Sequence, residues 1–290
     1  MKHLIGMESN AYPMDNEFGI DFATFKKYGV ISIDYRGIWQ AKDNPFFKLP
    51  EEQFIDFFKR LKKELDKYGL IANQTHALWD PEYEYTHQDE DIFFYYQRPI
   101  LAASIMKTKY IVMHPEPIKG HYLWDKVPYE DIYEANKEFI NRLLPLIEKH
   151  NVYLAIENLP FLSIPEFFSP SGTLKLVNDF NNDHIVMCLD TGHFNIYKED
   201  IYEFLIKGKD KIQCLHIHDN QGDTDAHAIP YTGTFNWKMF IKGLKDINYQ
   251  GVLSLETLVP VNKYSQEEYQ KRNNHLLKVI KDMRDELDKE

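Results

Sequence analysis

The regular return of short apolar runs, separated by longer segments of helical period, limits the fold of this chain more than any other feature. There are eight runs rich in Val, Ile and Leu, each long enough for one buried strand. The segments between them carry apolar residues at spacings of three and four, as in 51–69, 134–150 and 267–289. The predicted strands occupy residues 3–7, 29–35, 70–76, 109–115, 152–158, 185–191, 212–218 and 251–257.

A strand followed by a helix, eight times over, predicts an α/β fold in which helices surround a closed parallel barrel. The structural rival is an open, doubly wound sheet, but the sequence has no G-x-G-x-x-G after its first strand and no G-x-x-x-x-G-K loop. Barrels of this kind typically take about 250 residues, and no linker or low-complexity tract interrupts this chain. We therefore expect a single (β/α)8 barrel domain over residues 1–290.

Charge and cysteine content restrict the partners and the compartment. Acidic residues outnumber basic ones by 45 to 34, and the net charge of −11 argues against nucleic acid or an anionic membrane as a partner. Cys188 and Cys214 lie in apolar runs and are expected to be reduced, buried and directed into the barrel. No run approaches a membrane span and no secretory signal is recognisable, so we expect a cytoplasmic protein.

Ionisable residues stand at the carboxyl ends of six consecutive predicted strands. Because the strand ends of a barrel meet on one rim, where active sites of such barrels are built, these side chains are expected to converge. Charges buried there are costly unless they are paired or bind a cation, and a divalent metal removes that cost. The residues are His76, His114, Glu157, Asp190, His216 and Glu256. The proposed metal ligands among them are Glu157, Asp190, His216 and Glu256.

Other interpretations of the same residues stay open. The four ligand candidates could form only hydrogen bonds among themselves, and His76 or His114 taken singly could be a core histidine. His218 shares the inward face of its strand with His216 and could compete with it as a ligand or support it from behind. Three carboxylates and one imidazole form a rather hard site, which suits Mn, Mg or Co and also admits Zn.

Five motifs carry a family resemblance. They are AIENLP at 155–160, CLDTGHFN at 188–195, HIHDN at 216–220 followed by DAH at 225–227, Gly233 with Trp237, and LSLET at 253–257. Together they resemble the xylose isomerase-like barrel superfamily, which includes sugar and sugar-phosphate isomerases and epimerases and the endonuclease IV repair enzymes. The resemblance runs in order through strands three to eight and covers most of the chain.

The resemblance to the ketose 3-epimerase branch implies roles for individual residues. The metal quartet of that branch falls on the four ligands already proposed. Glu157 and Glu256 would also act as acid and base on opposite faces of the substrate, and His193 would orient it. Further substrate contacts are expected from His76, His114 and Trp124. The epimerases carry an arginine just after the strand-seven histidine, where this chain reads DNQGD, so their specificity does not transfer directly.

The resemblance to endonuclease IV implies a second possibility. Asp225 and His227 form the Asp-x-His pair with which that enzyme holds one of its three zinc ions, and residues of this chain match all ligand types of the three-zinc site. His193, Asp225, His227, His76 and His114 are therefore candidate ligands of additional metals. A DNA-width basic groove is not apparent, since the positive charges expected near the mouth are few: Arg36, Arg98, Lys119 and Lys126.

We predict a divalent-metal-dependent isomerase or epimerase of a small sugar, sugar phosphate or related polyol. The alternatives are an abasic-site phosphodiesterase with two or three zinc ions and a dehydratase of an inosose-like ketone. Aromatic residues in the loops after the strands could roof a substrate pocket or form a subunit interface, so a homo-oligomer stays open.

Overall fold

The computed structural model describes residues 2–37, 44–78, 90–118, 120–122, 124–257 and 265–289. Eight parallel strands form one sheet in the order β7-β6-β5-β4-β3-β2-β1-β8, and each falls on a predicted strand. Their bounds are β1 (Ile5–Glu8), β2 (Ser32–Tyr35), β3 (Ile71–His76), β4 (Tyr110–Met113), β5 (Tyr153–Glu157), β6 (Ile185–Asp190), β7 (Ile212–His216) and β8 (Leu253–Leu255).

The sheet closes between β7 and β8. The backbone N–H of Ile217 donates to the carbonyl of Ser254 at 2.9 Å, and the N–H of Glu256 donates to the carbonyl of Ile217 at 3.1 Å. These two bonds form an isolated parallel bridge that joins the chain just beyond β7 to β8. The (β/α)8 barrel prediction is confirmed, and the doubly wound sheet is rejected.

At least one helix lies between every two successive strands. The helices predicted at 51–69, 134–150 and 267–289 are present, and the second begins five residues earlier than the periodicity indicated. The bounds are α1 (Phe22–Tyr28), α2 (Pro45–Lys48), α3 (Glu51–Tyr68), α4 (Glu90–Met106), α5 (Tyr129–His150), α6 (Pro165–Phe168), α7 (Pro170–Asp179), α8 (Thr191–Tyr197), α9 (Ile201–Gly208), α10 (Trp237–Asp246) and α11 (Gln266–Leu287).

The longer helices follow from local sequence signals. In α3, Phe54, Phe58 and Leu61 are fully buried at spacings of three and four, so one stripe of the helix packs inward. The helix stops at Gly69, whose φ of 69° places it in the left-handed region that glycine enters without strain. A capping box formed by Ser265 and Glu268 starts α11.

The barrel interior is filled by small and apolar side chains beneath the carboxyl rim. Cys188 and Cys214 are buried and free there, and their Cα atoms are partners in the β6–β7 register, as the alternation of the strands predicted. They pack with Tyr110, Val112, Ala155 and Val186. Within the described ranges, no helix has both the length and the apolar character needed to cross a membrane.

Candidate active site

The four predicted metal ligands meet at the carboxyl end of the barrel. Glu157 ends β5, Asp190 ends β6, His216 ends β7, and Glu256 follows β8 by one residue. One ligand atom from each lies within 4.8 Å of all the others. Their exposed fractions are only 1%, 0%, 0% and 7%. We call these four residues the central group. Three buried carboxylates around one imidazole form a donor set that fits a divalent cation.

Glu157 lies between the central group and a second group of potential ligands. Its Oε1 is 3.0 Å from Nδ1 of His216, whereas its Oε2 is 3.0 Å from Nε2 of His114 and 3.4 Å from Nε2 of His76. Burial alone would raise the pKa of Glu157, but His216 and His114 hold it well below the ordinary value. The carboxylate is therefore ionised, with one oxygen facing each group.

The second group consists of His76, His114 and Glu157, whose ligand atoms also lie within 4.8 Å of one another. Burial lowers the pKa of His114 to about 4, although Glu157 opposes the shift. The ring is therefore neutral at pH 7, the form in which histidine binds metals. The structure brings both of these predicted histidines to the rim, where either a substrate oxygen or a second ion could meet them.

Asp34, a residue that the sequence analysis did not select, supports His216 from behind. It lies in β2, is buried, and its Oδ2 accepts a hydrogen bond from Nε2 of His216 at 3.1 Å. The other ring nitrogen of His216, Nδ1, then faces Glu157 at 3.0 Å and Glu256 at 2.9 Å. A carboxylate behind a histidine fixes its tautomer and ring orientation in many metal sites. Nδ1 is thus the nitrogen of His216 that faces the other residues of the central group.

Arg36 supports Glu256 from the same strand. It follows β2 by one residue, and its Nη2 forms a short ion pair with Oε1 of Glu256. Burial alone would raise the pKa of Glu256, but His216 and Arg36 hold it well below the ordinary value. Arg36 was expected near the mouth of the barrel, as one of a few positive charges that nucleic acid could contact. In the structure its side chain forms ion pairs with Glu8 and Glu256.

Asp190 connects the central group to α8. Its Oδ1 accepts from the backbone N–H of His193 at 2.6 Å and so caps the helix. The Nδ1 of His193 lies 2.8 Å from the carbonyl of Asn158 and donates to it, which turns Nε2 towards Asp225 at 3.2 Å. Burial lowers the pKa of His193, but Asp190 and Asp225 outweigh it and raise the pKa well above its ordinary value.

A third group of potential ligands consists of His193, His218, Asp225 and His227, again within 4.8 Å of one another. The structure brings the predicted Asp-x-His pair together with His193, and Nε2 of His227 lies 3.1 Å from Oδ2 of Asp225. His218 does not replace His216 in the central group. Its Nε2 lies 2.8 Å from Asp190, so it joins the central group to the third.

Gly192 makes room for His218. A Cβ at position 192 would lie 2.0 Å from Cε1 of the imidazole, far inside contact distance. The ring of His218 also stacks on that of His227, with centroids 4.1 Å apart. A larger residue at position 192 would therefore clash with His218, which could not be predicted from the DTGH motif alone.

Asp219 shapes the loop that presents Asp225 and His227. It is fully buried and accepts hydrogen bonds from the backbone N–H of Gly233 at 3.0 Å and from the indole N–H of Trp237 at 2.8 Å. These contacts give Gly233 and Trp237, which follow the DAH motif, a structural role. Their role is to fold the β7–α10 loop, and Asp219 is a further residue that the sequence analysis missed.

The remaining predicted residues belong to none of these three groups or lie outside the described residues. Trp124 lies in the β4–α5 loop, half exposed, with its ring stacked on that of Tyr122 at 4.8 Å. Arg98 lies in α4, where it donates to the carbonyl of Leu49. Lys119 lies outside the described residues.

The sequence matches the family model of the xylose isomerase-like TIM barrel over residues 22–278. The chain belongs to this family. Among curated relatives, an uncharacterized protein of Methanocaldococcus jannaschii is 32% identical over 160 residues, which is 55% of this chain and 59% of that protein. The chain spans about half the length of the curated relatives it matches first, from 43% to 59%.

Two solved structures show the same barrel. D-psicose 3-epimerase from Clostridium cellulolyticum H10, solved with D-tagatose, is 16% identical, covers 99% of both chains and superposes with a TM-score of 0.72. The IOLI protein, solved with a zinc atom, is 17% identical, covers 99% of this chain and 98% of its own, and superposes with a TM-score of 0.71. At these identities the structural similarity establishes the fold of this family member. Its chemistry has to be inferred from the residues of the candidate site.

Proposed function

We propose that this family member is a divalent-metal-dependent isomerase or epimerase of a small sugar, sugar phosphate or related polyol, and that it moves a proton on a carbon next to a carbonyl. The observation that carries the proposal is the pair of buried, ionised carboxylates on either side of His216. Nδ1 of His216 lies 3.0 Å from Glu157 and 2.9 Å from Glu256. The D-psicose 3-epimerase and IOLI neighbours support a small carbohydrate substrate and a divalent metal.

The central group would hold the metal. Its donors are a mixed set of oxygen and nitrogen atoms without thiolate, which suits Mn, Mg or Co and admits Zn. Bound there, a divalent ion polarises a carbonyl and the neighbouring hydroxyl and so acidifies the carbon-bound proton between them. The proposed ligands are Glu157, Asp190, His216 and Glu256.

The two glutamates would transfer the proton. Both have pKa values held well below the ordinary value, so both are ionised at neutral pH, the form that can accept a proton. Glu157 ends β5, and Glu256 follows β8, which lies three strands further around the barrel. That arrangement suits a reaction in which one carboxylate removes a proton and the other returns it.

His193 would orient the substrate. Its Nδ1 is held by the carbonyl of Asn158, so Nε2 is the nitrogen that faces the site, where it lies 3.2 Å from Asp225 and would contact the substrate. His76 and His114 would contact the substrate from the β3 and β4 side. Trp124 is proposed as part of the cover over the pocket.

The test is a panel of ketoses, aldoses, their phosphates and inososes, incubated with enzyme and each of the four ions in D2O. We expect one class of substrate to gain deuterium next to its carbonyl and to give an isomer of unchanged composition, as read by NMR and mass spectrometry. Loss of the mass of water would instead identify the dehydratase alternative. Absence of exchange with every substrate and ion would contradict the proposal.

A second candidate function is an abasic-site phosphodiesterase, and a specific observation favours it. The central, second and third groups together supply three adjoining sets of ligands, more than one ion requires. Three firmly held zinc ions per chain and cleavage of abasic DNA would support this function. A single exchangeable Mn or Mg with no cleavage would remove it.

A further inference from the structure

Arg36 has a fixed position that the proposed chemistry does not yet use. Its backbone N–H donates to Oγ of Ser9 at 3.1 Å, which anchors the chain where it leaves β2. Its side chain is only 11% exposed. A guanidinium buried this deeply needs compensating negative charge, and three acidic residues lie within ion-pair distance of it.

The three acids are distributed over the donors of Arg36. Nε lies 3.1 Å from Oε1 of Glu8, the last residue of β1, and 3.7 Å from Oδ2 of Asp34. Nη2 forms the short ion pair with Oε1 of Glu256. Glu8 is buried, belongs to none of the three ligand groups and contacts Arg36.

The two carboxylate oxygens of Glu256 contact different residues. Oε1 is engaged by Arg36, whereas Oε2 lies 2.9 Å from Nδ1 of His216, on the side of the central group. A free carboxylate can rotate and offer either oxygen or both. A carboxylate with one oxygen held by a charged guanidinium nitrogen is left with the other oxygen for the central group.

We propose that Arg36 is a positioning residue that fixes Glu256 so that Oε2 alone serves the metal and the proton transfer, with Glu8 as the anchor of Arg36. The inference rests on the proposed function and deepens it. The loop after β7 carries no arginine among residues 219–223. The cation beside Glu256 is instead Arg36, which follows β2.

The experiment compares Arg36→Lys and Glu8→Gln with the unaltered protein, with Arg98→Lys as the matched control. Arg98 lies in α4, stacks on Phe54 and donates to the carbonyl of Leu49, so it tests the same exchange away from the central group. The first readout is the Kd for Mn²⁺ without substrate, together with the electron paramagnetic resonance spectrum of the bound ion. The second is kcat and KM for deuterium exchange into the substrate found by the panel.

Arg36→Lys keeps the charge but replaces the guanidinium, which contacts Glu8 through Nε and Glu256 through Nη2, by a single ammonium group. We therefore expect the Kd for Mn²⁺ to rise about tenfold to hundredfold. The resonance spectrum should change, and kcat should fall while KM stays near its original value. Glu8→Gln should shift Kd and kcat in the same direction by less, because Arg36 remains but is less firmly held. Arg98→Lys should leave the Kd, the spectrum, kcat and KM unchanged.

An Arg36→Lys variant that folds, as judged by circular dichroism, and keeps the original Kd and kcat would overturn the inference. A raised KM with unchanged Kd and kcat would also overturn it, because it would identify a direct contact with substrate. If Arg36→Lys does not fold, Glu8→Gln decides: a weakened Kd supports the inference and an unchanged Kd overturns it. Failure of the unaltered protein to bind any ion would refute the proposed function itself, and this role with it.

Discussion

Nε2 of His216 lies 3.1 Å from Oδ2 of Asp34, and both side chains are buried. The contact joins residues 182 positions apart in the sequence and turns Nδ1 of His216 towards Glu157 and Glu256. β2 thus contributes none of the proposed central ligands, yet Asp34 in β2 and Arg36 just after it contact two of them. The sequence of β2 alone did not indicate that its residues would contact the proposed metal ligands.

Asp34→Asn is expected to weaken metal binding without unfolding the chain. The amide can still accept from Nε2 of His216 but carries no charge, so the imidazole becomes a poorer and less fixed ligand. We expect the Kd for Mn²⁺ to rise at least about tenfold, measured by isothermal titration calorimetry. Asp56→Asn, an exposed change in α3, is the control. An unchanged Kd in Asp34→Asn would show that the contact does not serve the metal.

Glu256→Gln should abolish deuterium exchange into the substrate while leaving the fold intact. The amide cannot accept the proton that the carboxylate takes, and exchange of carbon-bound protons would fall by about 100-fold or more. NMR in D2O measures the exchange, and circular dichroism checks the fold. Exchange at the original rate in this variant would remove Glu256 as the base.

Zinc binding at the third group should tighten between pH 7 and pH 9 and should release protons at pH 7. Burial lowers the pKa of His227, but its hydrogen bond with Asp225 outweighs burial and raises the pKa to about 9. At pH 7 the ring is therefore protonated, and a metal must displace that proton. Calorimetry in buffers of different ionisation enthalpy counts the protons released, with His227→Ala as the reference. A zinc affinity independent of pH would contradict the prediction.

The free energy of unfolding should fall as the pH rises from 6 to 8, in part through Glu116. Burial raises the pKa of Glu116 to about 8, although the Tyr96 hydroxyl, which donates to it, opposes the shift. An unfolded glutamate titrates near pH 4.5. Between these values the folded chain holds the extra proton, so raising the pH favours unfolding, by about 2 kcal/mol over this interval.

Glu116→Gln removes that titration and keeps an acceptor for Tyr96. Its free energy of unfolding should therefore fall less steeply than that of the original protein over the same interval. Denaturant titrations at pH 6 and pH 8 measure both proteins. Equal slopes for the two would show that Glu116 does not hold a proton in the folded state.

The barrel and most of the candidate site follow from local sequence patterns. Eight apolar runs predicted all eight strands, and ionisable residues at the ends of those runs predicted which side chains would meet. Glu157, Asp190, His216 and Glu256 converge because parallel strands in a barrel end on one rim. The Asp-x-His pair at 225–227 also reaches His193, as the motif comparison implied.

The residues that contact the proposed ligands from behind could not be predicted from the sequence, because these contacts join segments that are far apart in the chain. Asp34 and Arg36 resemble ordinary polar residues at the end of an apolar run, and Arg36 contacts Glu256 across 220 positions. Glu8 could be noticed only as an acid at the end of β1. Asp219 stands beside a recognised histidine, but its backbone and indole donors become visible only in the folded loop.

The most direct test of the account is the metal content of the purified chain after exposure to Mn²⁺ and dialysis, compared with that of Asp190→Ala. We predict that the unaltered protein retains a tightly held divalent ion and that Asp190→Ala loses it while remaining folded. An unaltered protein that retains no ion when supplied with Mn, Mg, Co or Zn, or an Asp190→Ala variant that retains as much Mn as the original, would contradict the proposed metal site.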